Sequence, residues 1–171
     1  MALFDSIRRE FSNKPEWKGL RFEEYVNDLF DEKDFAISER THSHRTNEER
    51  YVESSLNPDF VFRHKRSNDL VAVECKYRSN LYQGKLSWCN PSQLKRYREF
   101  AKKRKIPVYV IIGMGTDDSL PDELFVIPLE EAKYPALYPS VYQKFSKNPK
   151  MKLTWRNKEL VSTSNPVYDW V

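Results

Sequence analysis

The stretch NPDFVFRHKRSNDLVAVECKYR, residues 57–78, decides the fold. Asp59 to Phe62 and Leu70 to Tyr77 predict two strands, and the polar run between them, residues 63–69, predicts their turn. Side chains alternate along a strand, so Val71, Val73 and Cys75 share one face and Leu70, Ala72, Glu74 and Lys76 the other. The second face begins apolar and ends polar, so this strand runs from a core to a rim. If the two strands pair antiparallel, the start of one lies beside the end of the other. Asp59 and Glu74 then converge, with Lys76 beside both.

Two carboxylates held close repel unless a proton or a cation lies between them. Hard oxygen donors at such a point suit Mg²⁺ or Mn²⁺ better than zinc. The backbone carbonyl of Cys75 adds a further candidate ligand, because its side chain points away. A divalent ion polarises a phosphoryl oxygen and acidifies a bound water, and a lysine stabilises the resulting charge. The same three residues could equally form a surface charge network, which contributes little stability.

Outward from this stretch, residues 16–33 carry Gly19, Phe22, Val26, Leu29 and Phe30 at helical spacing, and residues 35–37 form a short strand. Residues 39–56 are polar and without period. Asn90-Pro91-Ser92-Gln93 marks a helix start, with Asn90 as cap and Gln93 closing a capping box. Leu94, Tyr97, Phe100 and Ala101 form that helix's apolar stripe, and Pro107 ends it. Val108 to Ile112 predicts a strand covered on both faces, and Leu124 to Ile127 another. Residues 134–145 predict helix in pieces, and the tail from Met151 predicts edge strands. The order is an α/β, αβββαβ core: a mixed sheet flanked by helices. One domain over residues 1–171 is expected, with its core at about 16–128 and an extension at about 129–171.

The 171 residues carry a formal charge of +4 and only four glycines, which excludes collagen-like repeats and glycine-rich phosphate loops. No apolar run is long enough to span a bilayer. The N-terminal MALFDSIRREF is too charged for a signal peptide and predicts a short amphipathic helix. Cys75 and Cys89 are too few for a disulfide framework, which fits a reducing cytoplasm. Residues 85–107 hold eight Lys or Arg against the single Glu99, a pattern suited either to a polyanion or to a solvated face.

Pro58-Asp59 followed by Glu74-Cys75-Lys76 resembles the signature of the PD-(D/E)XK nuclease superfamily, the restriction-endonuclease-like fold. Upstream, GLRFEEYVNDLF, residues 19–30, is similar to the Gly-x-x-Phe-Glu helix of its Mrr group. Gln93 and Tyr97 resemble the Gln-x-x-x-Tyr element of RecB-type members. The resemblance covers residues 19–112 and implies a restriction-endonuclease-like sandwich. It also implies catalytic roles for Asp59, Glu74, Lys76, Glu23 and Gln93, with metal at Asp59, Glu74 and the Cys75 carbonyl. Gln93 has a competing task in the capping box, and Glu23 could be a plain exposed neighbour of Glu24.

The expected function is Mg²⁺- or Mn²⁺-dependent hydrolysis of a nucleic-acid backbone, most readily DNA. Lys95, Arg96, Arg98, Lys102 and Lys103 would attract phosphates, and a homodimer would suit double-strand cleavage. The alternatives are a catalytically silent binding module and an accessory subunit of a defence or repair complex. His42 and His44 lack a third metal ligand nearby, though Arg40, His44 or Arg45 could touch phosphates. Trp88, Tyr134, Tyr138 and Tyr142 could stack on bases or serve only packing.

Overall fold

A computed structural model describes residues 15–41, 57–116 and 120–169. The N-terminal helix expected over residues 1–11 lies outside them, as do His42, His44 and Arg45.

Helix α1 (Pro15–Leu29) opens on a proline, whose missing N–H costs nothing at that position. Leu29 ends it, short of residue 33, and Phe30 forms a bridge to Leu153 instead of a further turn. Strands β1 (Phe35–Arg40), β2 (Phe60–His64) and β3 (Leu70–Arg78) then form an antiparallel meander. After the short β4 (Leu86–Ser87), helix α2 (Pro91–Arg104) starts with the predicted capping box. Asn90 Oδ1 accepts from Gln93 N at 2.8 Å, and Gln93 Oε1 accepts from Asn90 N at 3.0 Å. Lys105, in the left-handed region at φ 55°, caps its end.

Strand β5 (Val108–Met114) is buried throughout and runs parallel to β3, so α2 is the crossover between them. Strand β6 (Glu123–Pro128) returns antiparallel. The two-residue β7 (Ala136–Leu137) pairs with β4. A four-residue helix α3 (Pro139–Tyr142) and a 3₁₀ turn (Gln143–Phe145) follow. The predicted helix in pieces is therefore half strand and half helix, divided by Pro139. Strand β8 (Ser146–Lys147) completes the main sheet in the order β1-β2-β3-β5-β6-β8. This is the predicted mixed sheet with helices on both sides.

The tail corrects an expectation. Strands β9 (Met151–Arg156) and β10 (Glu159–Pro166) do not extend the edge of the main sheet but form a two-stranded hairpin of their own. Leu153, Trp155 and Leu160 of the hairpin join Phe22, Val26, Phe60, Val71 and Val73 in one core, on the α1 side of the sheet. The second core, on the α2 side, holds Ala72, Val110, Ile112, Leu94, Tyr97 and Trp88. The alternation predicted for β3 is thus obeyed: Val71, Val73 and Cys75 face α1, and Leu70 and Ala72 face α2.

Gly113 of β5 sits directly beneath Phe22. A Cβ there would come within 2.4 Å of the ring, so only glycine lets α1 lie this low on the sheet. No described helix is long and apolar enough to cross a membrane.

Candidate active site

The last paired residues at this end of the β2–β3 ladder are Phe60 and Val73. One step further, Asp59 stands opposite Glu74, on the α2 face, as the antiparallel register requires. Because β2 has ended, Cys75 has no backbone partner on that side, and its N–H donates to Asp59 Oδ2 at 2.8 Å. In a strand the N–H and C=O of one residue point to the same side, so the Cys75 carbonyl faces this edge too. Its thiol packs toward the α1 core.

Glu74 is buried, 5% exposed, which excludes a solvated surface network. Burying a carboxylate is costly unless it is paired. Its Oε1 accepts from Tyr97 Oη at 2.7 Å and pairs with Lys76 Nζ at 2.9 Å. The Tyr97 phenol is pushed far up, by burial first and by Glu74 next, so it stays a donor. Lys76 is two residues on along the same face, which is why its ammonium can fold back on Glu74.

A third carboxylate completes the group. Glu23 on α1 has its pKa raised to about 7, chiefly by burial, against the lowering pull of Arg40, with Glu74 and Glu24 adding to the rise. Half-buried Asp59 is pushed well above the usual carboxylate range by desolvation first, then by Glu74 and Glu23. Three acids that raise one another's pKa are three acids facing one point.

The chemistry of these donors fits a hard divalent cation. Asp59 and Glu74 each keep an oxygen, Oδ1 and Oε2, that accepts no hydrogen bond among the described residues. Two carboxylate oxygens and a carbonyl leave the remaining positions to water and phosphate, the usual manner of holding Mg²⁺. Among the described residues, no three His, Cys, Asp or Glu side chains form a metal-sized cluster by themselves.

The structure brings Asp59, Glu74, Lys76 and Glu23 together with the Cys75 carbonyl. Gln93 is not part of that group: both its backbone N–H and its side-chain carbonyl are given to the capping box. Tyr97, one turn along, reaches the carboxylate instead. Of the basic helix, Arg98 donates to the Lys133 carbonyl at 2.7 Å and Lys95 lies 4.0 Å from Glu99, while Lys102 and Lys103 are exposed and Arg96 half-buried. Arg40 escaped the sequence reading as a site residue. It pairs with Glu24, lies 5.0 Å over the Phe60 ring, and holds the Glu23 pKa down. Only its place in β1, beside β2 and facing α1, could have signalled that.

Sheet order, flanking helices and the acid-rich end of β3 together define the restriction-endonuclease-like fold. A solved structure shares it: Archaeoglobus fulgidus Hjc, a Holliday junction resolvase from an archaeal hyperthermophile, superposes with a TM-score of 0.53 at 19% identity. The match covers 74% of this chain and 93% of the resolvase. No family model matches the chain, and no curated protein does.

Proposed function

We propose that the chain is a divalent-metal-dependent nuclease that hydrolyses phosphodiester bonds of DNA. The observation that carries this reading is buried Glu74, held beside Asp59 and Lys76 where the β2–β3 ladder ends, in a fold shared with a junction resolvase. Asp59, Glu74 and the Cys75 carbonyl would hold Mg²⁺ or Mn²⁺, which when bound neutralises phosphate charge and acidifies water. Lys76 offers an ammonium to the phosphoryl oxygens. Tyr97 fixes the Glu74 rotamer by donating to Oε1. Glu23, titrating at about 7, is suited to accept a proton from the attacking water at neutral pH. The cations of α2, Lys95, Arg96, Arg98, Lys102 and Lys103, supply the phosphate-attracting face. A homodimer would present two such sites to a duplex.

The test is incubation of the purified protein with supercoiled, linear, single-stranded and four-way-junction DNA, and with RNA, in Mg²⁺, Mn²⁺ or chelator. Metal-dependent cleavage that disappears in Asp59→Ala, Glu74→Ala and Lys76→Ala supports the reading. Full activity in any of these variants removes that residue from the site.

A second reading, a nucleic-acid-binding module without turnover, draws on the lack of a three-side-chain metal cluster among the described residues. It predicts tight DNA binding and no cleavage under either metal.

A further inference from the structure

The aromatic residues that the sequence grouped together part company in the structure. Trp88 and Tyr142 are buried in the α2-side core, whereas Tyr134 is 67% and Tyr138 59% exposed. Tyr138 already carries the Lys85 ammonium 4.6 Å above its ring. The Tyr134 ring has no such contact among the described residues, yet its backbone is firmly placed. Its carbonyl accepts from Trp88 Nε1 at 2.8 Å, the next carbonyl from Trp88 N at 2.9 Å, and that of Lys133 from Arg98 at 2.7 Å.

Between this segment and α2 runs a groove of about 460 Å³. Its floor is Leu94 with Pro91 and Pro135; its walls carry Lys95, Arg98, Lys102 and Lys133 against the single acid Glu99. A cationic wall alone would suit any polyanion. An apolar floor and an exposed, anchored ring are what a base requires, and bases within a duplex hide their faces in the stack. The groove is also rigidly tied to the acids. Trp88 stacks on Tyr97, with ring centroids 5.9 Å apart at 20°, and Tyr97 holds Glu74. Arg78, at the end of β3, grips the Ser87 and Trp88 carbonyls at 2.7 and 3.0 Å.

We propose that this groove seats an unpaired nucleotide of the DNA, its base stacked on Tyr134 and its phosphates beside Lys95, Lys102 and Lys133. The identity of the polymer rests on the nuclease reading above; the preference for an unpaired strand rests on the groove. The substrate class then becomes DNA with a single-stranded segment next to the bond to be cut.

Binding, measured in chelator so that nothing turns over, separates the two ideas. The probes are a fluorescently labelled oligo-dT of about twelve nucleotides, within the span of one stacking groove, and a blunt duplex of equal length. Tyr134→Ala should weaken oligo-dT binding roughly tenfold and duplex binding by no more than about twofold. Tyr134→Phe should bind oligo-dT like wild type, and Tyr134→Leu like Tyr134→Ala, since only the former keeps a ring. Lys102→Ala with Lys133→Ala should lower the salt slope for oligo-dT by about two. Thermal melting of each variant checks that it is folded. Unchanged oligo-dT affinity in Tyr134→Ala, equal losses on both probes, or no binding of oligo-dT by wild type would overturn the groove. Ring-dependent oligo-dT binding without cleavage in any metal would instead overturn the nuclease reading and leave the groove standing.

Discussion

The β2–β3 hairpin carries an aspartate at each end, and the two are treated in opposite ways. At the turn, Asp69 accepts from Lys158 Nζ at 2.8 Å, from Trp155 Nε1 at 2.9 Å and from Ser67 Oγ at 2.9 Å. These donors, Lys158 foremost, pull its pKa down to about 2. At the open end, Asp59 has one backbone donor, Cys75 N, and two carboxylate neighbours, and its pKa moves up. The first carboxylate is satisfied by the protein and pins the β9–β10 hairpin to the sheet. The second is left wanting positive charge. A satisfied acid is structure; an acid held among acids is a site waiting for a cation.

The sharpest way to break this contrast is catalytic. Glu74→Ala or Lys76→Ala should reduce metal-dependent cleavage roughly 10²–10³-fold or more, the scale for losing one stabilising group at a reacting centre. Asp69→Ala should leave the rate within about twofold while lowering the melting midpoint. Equal losses at both ends, in single-turnover assays, would mean that the hairpin matters only as a scaffold.

Next in size is the response to metal. An ion that binds only the folded state adds about 2.7 kcal/mol at a hundred times its dissociation constant. At about 2–4 °C per kcal/mol for a chain of this length, Mn²⁺ should raise the wild-type midpoint by several degrees. Asp69→Asn should keep that rise and Asp59→Asn lose most of it. Identical Mn²⁺ shifts in melting curves of the two variants would remove Asp59 from the ligand set.

Without metal the order reverses. Asp59→Asn keeps an acceptor for Cys75 N and removes one of three like charges, a gain on the order of 1 kcal/mol. Its midpoint in chelator should therefore sit about 2–4 °C above wild type. Asp69→Asn should melt lower. A lower apo midpoint for Asp59→Asn would mean that the acids are not in conflict.

The smallest effect is in pH. Asp69 has a folded pKa of about 2, below the ordinary aspartate value of about 3.9. Its stabilisation is complete above about pH 4 and fades as pH falls toward 2, where the native carboxylate takes up its proton. The difference in stability between wild type and Asp69→Asn, from urea melts across that window, should shrink as pH falls. A constant difference would mean that the Lys158 and Trp155 contacts do not depend on the charge.

Much of this could be read from the chain because the informative signals are local. Alternation along residues 70–77 assigned the faces of β3, and the antiparallel register then put Asp59 opposite Glu74. Asn90, Pro91 and Gln93 placed the start of α2 to the residue. That same signal carried a conflict: one Gln93 side chain cannot both close a capping box and reach the acids. The hydrogen bonds give it to the cap. What stayed hidden depends on partners far along the chain. Strands β9 and β10 show no clean period, since Trp155 and Leu160 are fixed by a core built from residues a hundred positions earlier. The split of Tyr134 from Trp88 likewise arises from β4 pairing with β7, two strands of two residues each, too short to leave a pattern.

Gly113 makes the geometry of the acids answerable to a strand that carries none of them. Because β5 has no methyl group at that point, Phe22 can settle onto the sheet, and Glu23, the next residue, is set at its height above Glu74 by the same contact. A Gly113→Ala chain could relieve the clash only by lifting or sliding α1, and a displacement of about 1 Å at a reacting group can cost about a hundredfold in rate. The tolerance of the chemistry is therefore set by how closely helix and sheet can touch, and a single missing carbon atom serves as the spacer that fixes it.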